Sequence, residues 1–448
     1  MGLSTVVGSN LRGCLVAAGV IVAFAHCGGS GTSPTGGGST GSAVGNGAGS
    51  SGDNNVGGGG GTGSATSGGL EGSGASSTGS STTGGPTSGG SGSASTGSAS
   101  TGSAASSGDG GTPMTSADGG VALANCVSAD TKACSSFTTP TGTMIPLGPY
   151  GAQMDVNVGK GFENTVPSSD TPPQPSSTCQ SFANLFGEDP KLTMQLLTTT
   201  MNGITVDFSL YSVYRPAVWP SGPIPVITWG NGTCAQPEGY GALLRYVASY
   251  GYFVVAANMR QVGTNNTSGM GNAEPMLRAL DYAQAANKDS TSPYYNKLDF
   301  TKVGAMGHSQ GGAATALASS DSRIKSLIIF NGLNAGSSSK PYWTISGDMD
   351  IAQSSESAFT SGVTSSTAPG AWEWYHMPAG MGSLRGHLVL MLTPERVTKP
   401  TVAWWEWQFR NDAPSKALFL PSGSCSLCTM AASTGVGQAD YGANSLLK

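Results

Sequence analysis

The chain has 448 residues, a formal net charge of −5 and 70 glycines, of which 34 fall between positions 28 and 120 together with 23 serines and 13 threonines. That tract has no aromatic residue, Lys or Arg, so it buries too little apolar surface to offset its ordering entropy and is expected to be a disordered linker. The remaining segment, 121–448, is long enough for one large α/β domain, and its 19 Lys plus Arg against 21 Asp plus Glu, with no basic run, exclude a nucleic-acid partner.

At the N-terminus, Arg12 precedes twelve mostly apolar residues, Cys14 to Ala25. That is too short to span a bilayer and right for the apolar centre of a secretory signal peptide over 1–27. Two processing readings stay open. Ala23-Phe24-Ala25 is an A-x-A cleavage site and gives a freely secreted protein. Alternatively Cys27 carries the lipid of a bacterial lipoprotein, although His26 stands where a small residue is usual. Eight cysteines are present: 14, 27, 126, 134, 179, 234, 425 and 428. Lipidation of Cys27 leaves six in the mature protein, an even set suited to an oxidising compartment. Either reading puts the protein outside the cytoplasm, secreted or anchored at the cell surface or outer membrane, with membrane contact only through Cys27. The linker would reach roughly 50 Å as a random coil.

Residues 121–200 read as irregular, punctuated by Pro167, Pro172, Pro173 and Pro175. The alternation of Ile204, Val206, Phe208 and Leu210 predicts a strand with one buried face. Short apolar runs predict strands at 223–229, 252–257, 303–306, 326–330, 342–345 and 371–376. Helical spacing marks 238–250, closed by Gly251, and then 273–287, 310–319 and 398–410. Continuous apolar strands alternating with helices predict a mostly parallel sheet covered on both faces, an α/β domain over 121–448.

Gly307-His308-Ser309-Gln310-Gly311 matches G-x-S-x-G. The pattern alone carries little, since Gly37-Gly-Ser39-Thr-Gly41 in the linker matches it too. The copy at 307 follows a predicted strand and opens a predicted helix, the setting of a nucleophile elbow that exposes the serine Oγ. A hydroxyl needs a base, and the chain has four histidines. His26 lies at the leader boundary. His308 sits inside the elbow, where its ring is expected to line the site. His376 falls within a strand, and His387 follows a glycine-rich loop. His387 is therefore the expected base, with His376 the rival. The acid is expected after the 342–345 strand, at Asp350, with Asp348 the rival; it would hold the imidazole tautomer. Backbone amides of Asn231 and Gln310 are the expected oxyanion donors, and Trp229 is the nearby aromatic for substrate.

The segments Trp229-Gly-Asn-Gly-Thr233, Tyr252-Phe-Val-Val-Ala, Arg278-Ala-Leu-Asp-Tyr282, Met306-Gly-His-Ser-Gln-Gly-Gly312 and Gly347-Asp-Met-Asp350 resemble the secreted cutinase-like polyester hydrolases. They are also similar to the chlorophyllase and dienelactone-hydrolase-like esterases. The resemblance covers about 204–428. It implies an α/β-hydrolase fold, a serine triad acting on carboxylic esters, no metal and no cofactor. The domain is expected to be monomeric, with an ester substrate, soluble or polymeric. Two positions depart from the cutinase-like pattern: Asn231 replaces the aromatic after the oxyanion glycine, and Asn331-Gly-Leu333 replaces a tryptophan. Both point toward aliphatic rather than aromatic esters. The competing function is a tethered surface protein whose hydrolase-like domain only binds.

Cys425-Ser-Leu-Cys428 reads as a structural disulfide near the chain end, and Cys234 with Cys179 and Cys126 with Cys134 would complete one of fifteen pairings of six cysteines. Trp404, Trp405 and Trp407, spaced on one helix with Phe409, are expected to pack it against the sheet.

Overall fold

Apolar runs on both sides of each strand dictate a buried sheet, and a computed structural model of the chain contains one of nine strands. The structure describes residues 136–138, 142–164, 200–201, 203–258, 272–332, 338–353, 355–376, 386–420, 423–428 and 438–448. The expected leader, Cys27, the 28–120 linker, Cys126, Cys134 and Cys179 lie outside these residues.

The sheet strands are β1 (Ala152–Val158), β2 (Tyr211–Pro216), β3 (Ile224–Gly230), β4 (Phe253–Ala257), β5 (Leu298–His308), β6 (Ile324–Phe330), β7 (Tyr342–Gly347), β8 (Gly370–Tyr375) and β9 (Ala439–Ala443). Hydrogen bonding orders them β9-β8-β7-β6-β5-β3-β4-β2-β1. Strands β3 to β8 run parallel, while β1, β2 and β9 are antiparallel to their neighbours. Among the described residues the α-helices are α1 (Gly241–Ser249), α2 (Glu274–Lys288), α3 (Gln310–Ala318), α4 (Glu356–Thr364), α5 (Val389–Leu392), α6 (Glu395–Arg410) and α7 (Ala413–Phe419).

Successive side chains of one strand feed two different cores, which is why the runs are continuous rather than alternating. On β4, Val254 and Ala256 pack with α1 and α6, while Phe253, Val255 and Ala257 pack with α2. Trp404 and Trp405 of α6 are fully buried and Trp407 nearly so, as their spacing predicts. Trp404 Nε1 donates to Ser326 Oγ at 2.9 Å, and its ring meets Trp407 and Phe419 edge-on.

Three expectations give way. The 121–200 stretch is not irregular throughout, because 152–158 forms edge strand β1, antiparallel to β2. The alternating 204–210 segment does not join the nine-stranded sheet: within it only Ile204–Thr205 is a strand, paired antiparallel with Thr200–Met201. Asp207 explains the break. Its Oδ1 accepts from the amide and hydroxyl of Ser209, and its carbonyl accepts from the Leu210 amide, so the chain turns before β2 starts at Tyr211. The C-terminal α7 and β9 were not anticipated. Asp412 caps α7 by accepting from the Ser415 amide at 2.8 Å.

Three cysteine positions are described. Cys425 and Cys428 form a disulfide, and Cys234 is disulfide-bonded, with its expected partner Cys179 outside the described residues.

The strand order sets where a site can form. β4 and β5 flank β3, so the chain crosses over between them, and ligand crevices in open α/β sheets lie at the carboxyl ends beside such a reversal. There the register is tight: Gly230 of β3 sits opposite Gly307 of β5, and His308 opposite Phe330 of β6.

Candidate active site

Ser309 stands alone between the end of β5 and the start of α3, at φ 54 and ψ −117. A non-glycine residue rarely adopts this left-handed conformation, and its surroundings must enforce it. The Ser309 amide donates to the Phe330 carbonyl at 2.9 Å, and the Ser309 carbonyl accepts from the Ala313 amide at 3.1 Å. Glycines let the backbones meet. A Cβ on Gly311 would fall 2.1 Å from the Gly230 carbonyl oxygen, and one on Gly307 would fall 2.3 Å from the Gly311 carbonyl oxygen. The end of β3, the turn and α3 therefore touch through main chain alone.

Beyond β7 the chain turns inward. The Asp348 amide still bonds the Tyr375 carbonyl of β8. Met349 is then left-handed at φ 64, and the Asp350 amide closes back on the Gly347 carbonyl at 3.1 Å. This turn buries the Asp350 carboxylate. Its Oδ2 accepts from Ser346 Oγ at 2.5 Å and Asn331 Nδ2 at 2.8 Å, and its Oδ1 accepts from the Ala352 amide at 2.8 Å. Burial alone would raise its pKa. The adjacent His387 and the hydrogen bonds from His387, Ser346 and Asn331 outweigh burial and hold it below the ordinary aspartate value.

His387 completes the line. Its Nδ1 is 2.6 Å from Asp350 Oδ1 and its Nε2 is 2.8 Å from Ser309 Oγ. The carboxylate only accepts, so Nδ1 carries the proton and Nε2 faces the serine hydroxyl as an acceptor. Main-chain clamps fix the ring's backbone. The Gly386 carbonyl accepts from Asn331 Nδ2 at 2.8 Å, and the His387 carbonyl accepts from His308 Nε2 at 2.7 Å.

Asn331 is the residue that sequence reasoning missed, having entered only as a substitute for a tryptophan. It is fully buried and left-handed at φ 51, and its one amide group holds both the acid and the histidine-bearing segment. The available signal was a polar residue directly following an apolar strand.

The sequence reading of substrate contacts is corrected at two positions. Trp229 is fully buried, donates Nε1 to Asn231 Oδ1 at 2.8 Å and packs on Tyr240 and Phe330, so its ring is not presented at the site. His308 is only 2 % exposed, and both ring nitrogens are engaged internally, with Tyr240 and with the His387 carbonyl. Both rings meet Tyr240, which directly precedes α1. Asn231 likewise turns its side chain inward, donating to the Ala257 carbonyl at 2.7 Å. Gln310 begins α3, and its side chain accepts from Thr233 Oγ1 at 3.3 Å.

The rivals Asp348 and His376 pair with each other at 3.3 Å on the surface, and His376 also meets Asp440 at 3.1 Å. Glu356, His376 and Asp440 have ligand atoms within 4.8 Å of one another, the one such grouping among the described residues. It is separate from Ser309.

Residues 214–361 match the family model PETase, described as PET hydrolase-like. The match runs from β2 into α4 and includes Ser309 and Asp350, with His387 beyond it. No curated protein matches the chain. The doubly covered sheet and the strand–serine–helix turn make this an α/β-hydrolase-type fold, and over 214–361 the chain is similar to the PET hydrolase-like family.

Proposed function

We propose that the protein is a serine hydrolase that cleaves carboxylic esters through an acyl-enzyme. The observation that carries this reading is the unbroken line from Asp350 Oδ1 to His387 Nδ1 at 2.6 Å and from His387 Nε2 to Ser309 Oγ at 2.8 Å. Ser309 Oγ attacks the ester carbonyl while His387 Nε2 takes its proton. Asp350 holds the imidazole tautomer and stabilises the imidazolium. The developing oxyanion is received by backbone amides of Gln310 and of the Asn231–Thr233 turn. In that turn the Gly232 amide donates to Tyr240 Oη, and Asn231 is the donor expected from the sequence. The intermediate collapses, and the leaving alcohol takes the proton back from His387. Water, deprotonated by the same nitrogen, then attacks the acyl carbonyl and frees the acid and Ser309.

Aliphatic esters are the proposed substrates. An aromatic repeat unit gains from flat ring partners, and Trp229 is buried. Beside Asp350 the exposed large side chain is Met349, 51 % exposed. Action outside the cytoplasm, secreted or held through Cys27, remains part of the proposal on the strength of the leader-like N-terminus.

Fluorophosphonate labelling tests the reading. We expect one label, at Ser309, and a fall of about 10⁶-fold in kcat for Ser309→Ala with an unchanged melting curve. A folded protein that takes no label and turns over no p-nitrophenyl ester from acetate to palmitate would leave the binding-protein alternative standing. At equal enzyme, polycaprolactone is expected to degrade faster than an amorphous terephthalate polyester film. Faster release of terephthalate would overturn the aliphatic assignment.

A further inference from the structure

A second polar line runs behind the triad, and its polarity is fixed at both ends. At one end the Gly232 amide, which can only donate, lies 3.1 Å from Tyr240 Oη. At the other the His387 carbonyl, which can only accept, lies 2.7 Å from His308 Nε2. Between them Tyr240 Oη and His308 Nδ1 are 2.9 Å apart. With a neutral His308 one proton arrangement satisfies all three contacts: Gly232 N–H donates to Tyr240 Oη, the tyrosine hydroxyl donates to His308 Nδ1, and His308 Nε2–H donates to the His387 carbonyl. That arrangement requires a neutral His308. Burial, and secondarily the nearby His387, lower its pKa to about 3. The groups facing the ring are Tyr240, His387 and Asp350.

The line is also packed tightly. Tyr240 and His308 are 1 % and 2 % exposed. Trp229 sits against the Tyr240 ring at 4.7 Å between centroids. A Cβ on Gly232 would fall 2.8 Å from both His308 Nδ1 and Tyr240 Oη, so the turn after β3 is seated directly on the pair.

We propose that Tyr240 and His308 are positioning residues that lock the turn carrying oxyanion donors to the backbone of the catalytic histidine. The proposal rests on the serine-hydrolase reading. An acyl-transfer site needs donors and base at fixed positions about one serine oxygen, yet here they come from two loops, one after β3 and one after β8. His308 precedes Ser309 in the chain, so the pair ties both loops to the nucleophile itself. A misplacement near 1 Å in such a site can cost about 10²-fold in rate.

A double-variant cycle tests this. Tyr240→Phe and His308→Leu are each expected to lower kcat on p-nitrophenyl butyrate about tenfold, with KM within about twofold. Because they break one line, the double variant is expected to lose about tenfold, not the hundredfold of independent sites. His308→Gln, which keeps a donor and an acceptor, is expected to recover part of the His308→Leu loss. Unchanged kcat in folded Tyr240→Phe, or losses that multiply, would overturn the proposal. Should the variants fail to fold, nitrogen-15 histidine spectra of the wild-type protein decide it: His308 is expected as the neutral Nε2–H tautomer from pH 5 to 9. An Nδ1–H tautomer or a cation in that range would overturn it. Fluorophosphonate labelling separates the two failures. Label without any effect of Tyr240→Phe sinks only the positioning pair, whereas no label in the wild-type protein sinks the hydrolase reading and the catalytic role of the pair with it.

Discussion

Two aspartate–histidine pairs sit at the carboxyl end of this sheet, and their acids are separated by one residue. Asp350 and His387 have side chains 0 % and 2 % exposed and meet at 2.6 Å. Asp348 and His376 are 41 % and 38 % exposed and meet at 3.3 Å. The residue types are identical, so chemistry alone does not distinguish them. Surroundings do. The inner pair is dry, its carboxylate takes hydrogen bonds from Ser346 and Asn331 and from the Ala352 amide, and its imidazole faces Ser309. The outer imidazole faces a second carboxylate, Asp440, and Trp374 Nε1 donates to Asp348. A low local dielectric strengthens the inner contacts, while water screens the outer ones. The left-handed Met349 between the two acids makes the difference, since it turns Asp350 in as Asp348 stays at the rim.

The sharpest way to break this comparison is to disarm each acid in turn. Asp350→Asn is expected to lower kcat by about 10⁴-fold, as loss of the tautomer-fixing acid does in serine hydrolases. Asp348→Asn is expected to change it less than about threefold, as for an exposed pair. Steady-state kinetics on a soluble ester reads both, and a deeper loss at Asp348 would reverse the roles. Next come the supports of the inner pair. A Cβ on Gly386 would fall 1.8 Å from the Asp348 carbonyl oxygen, so Gly386→Ala must push the segment carrying His387 outward. Asn331→Ala removes the donor shared by Asp350 and the Gly386 carbonyl. Each is expected to cost about 10²-fold in kcat with KM within about threefold, the signature of displaced groups rather than lost binding. A wild-type kcat in folded Gly386→Ala would show that the histidine segment has slack.

Which parts of this were legible in the sequence follows from the range of the interactions. The elbow was legible because strand, glycine, serine, glycine and helix are contiguous, and its steric demands are local. The order serine, acid, histidine placed Asp350 and His387 at strand ends. The tryptophans of α6 were legible from helical spacing. Aim was not. Trp229 and His308 stand near the site in sequence, yet both rings turn toward Tyr240, a contact between distant segments that no local pattern records. Asn331 was hidden for the same reason: its amide matters only once β6, β7 and the segment after β8 lie side by side. The break before β2 depended on one side chain, Asp207, overriding an otherwise good strand alternation.

The smallest expected effect probes the outer pair on its own terms. Burial disfavours the charged His376 ring, but hydrogen bonds to Asp440 and Asp348 and their charges outweigh it, so the pKa is raised above the ordinary histidine value. A raised folded-state pKa stabilises the fold fully below the unfolded value and loses that contribution as pH rises through the folded value. His376 joins Asp348 after β7 to Asp440 of β9, so the effect should appear as stability rather than rate. With both partners more than a third exposed, screening keeps it below about 1 kcal/mol, or no more than about 2–4 °C in melting temperature. We therefore expect His376→Gln to melt lower than the wild type at pH 6, with the gap closing by pH 9, and kcat to stay within about twofold at both. Paired melting curves and ester kinetics at the two pH values read this. A gap that widens with pH would reverse the sign assigned to the ring, and a tenfold fall in kcat would mean that the outer pair is mechanically coupled to Asp350 through the Met349 turn, ending the separation drawn between the two pairs.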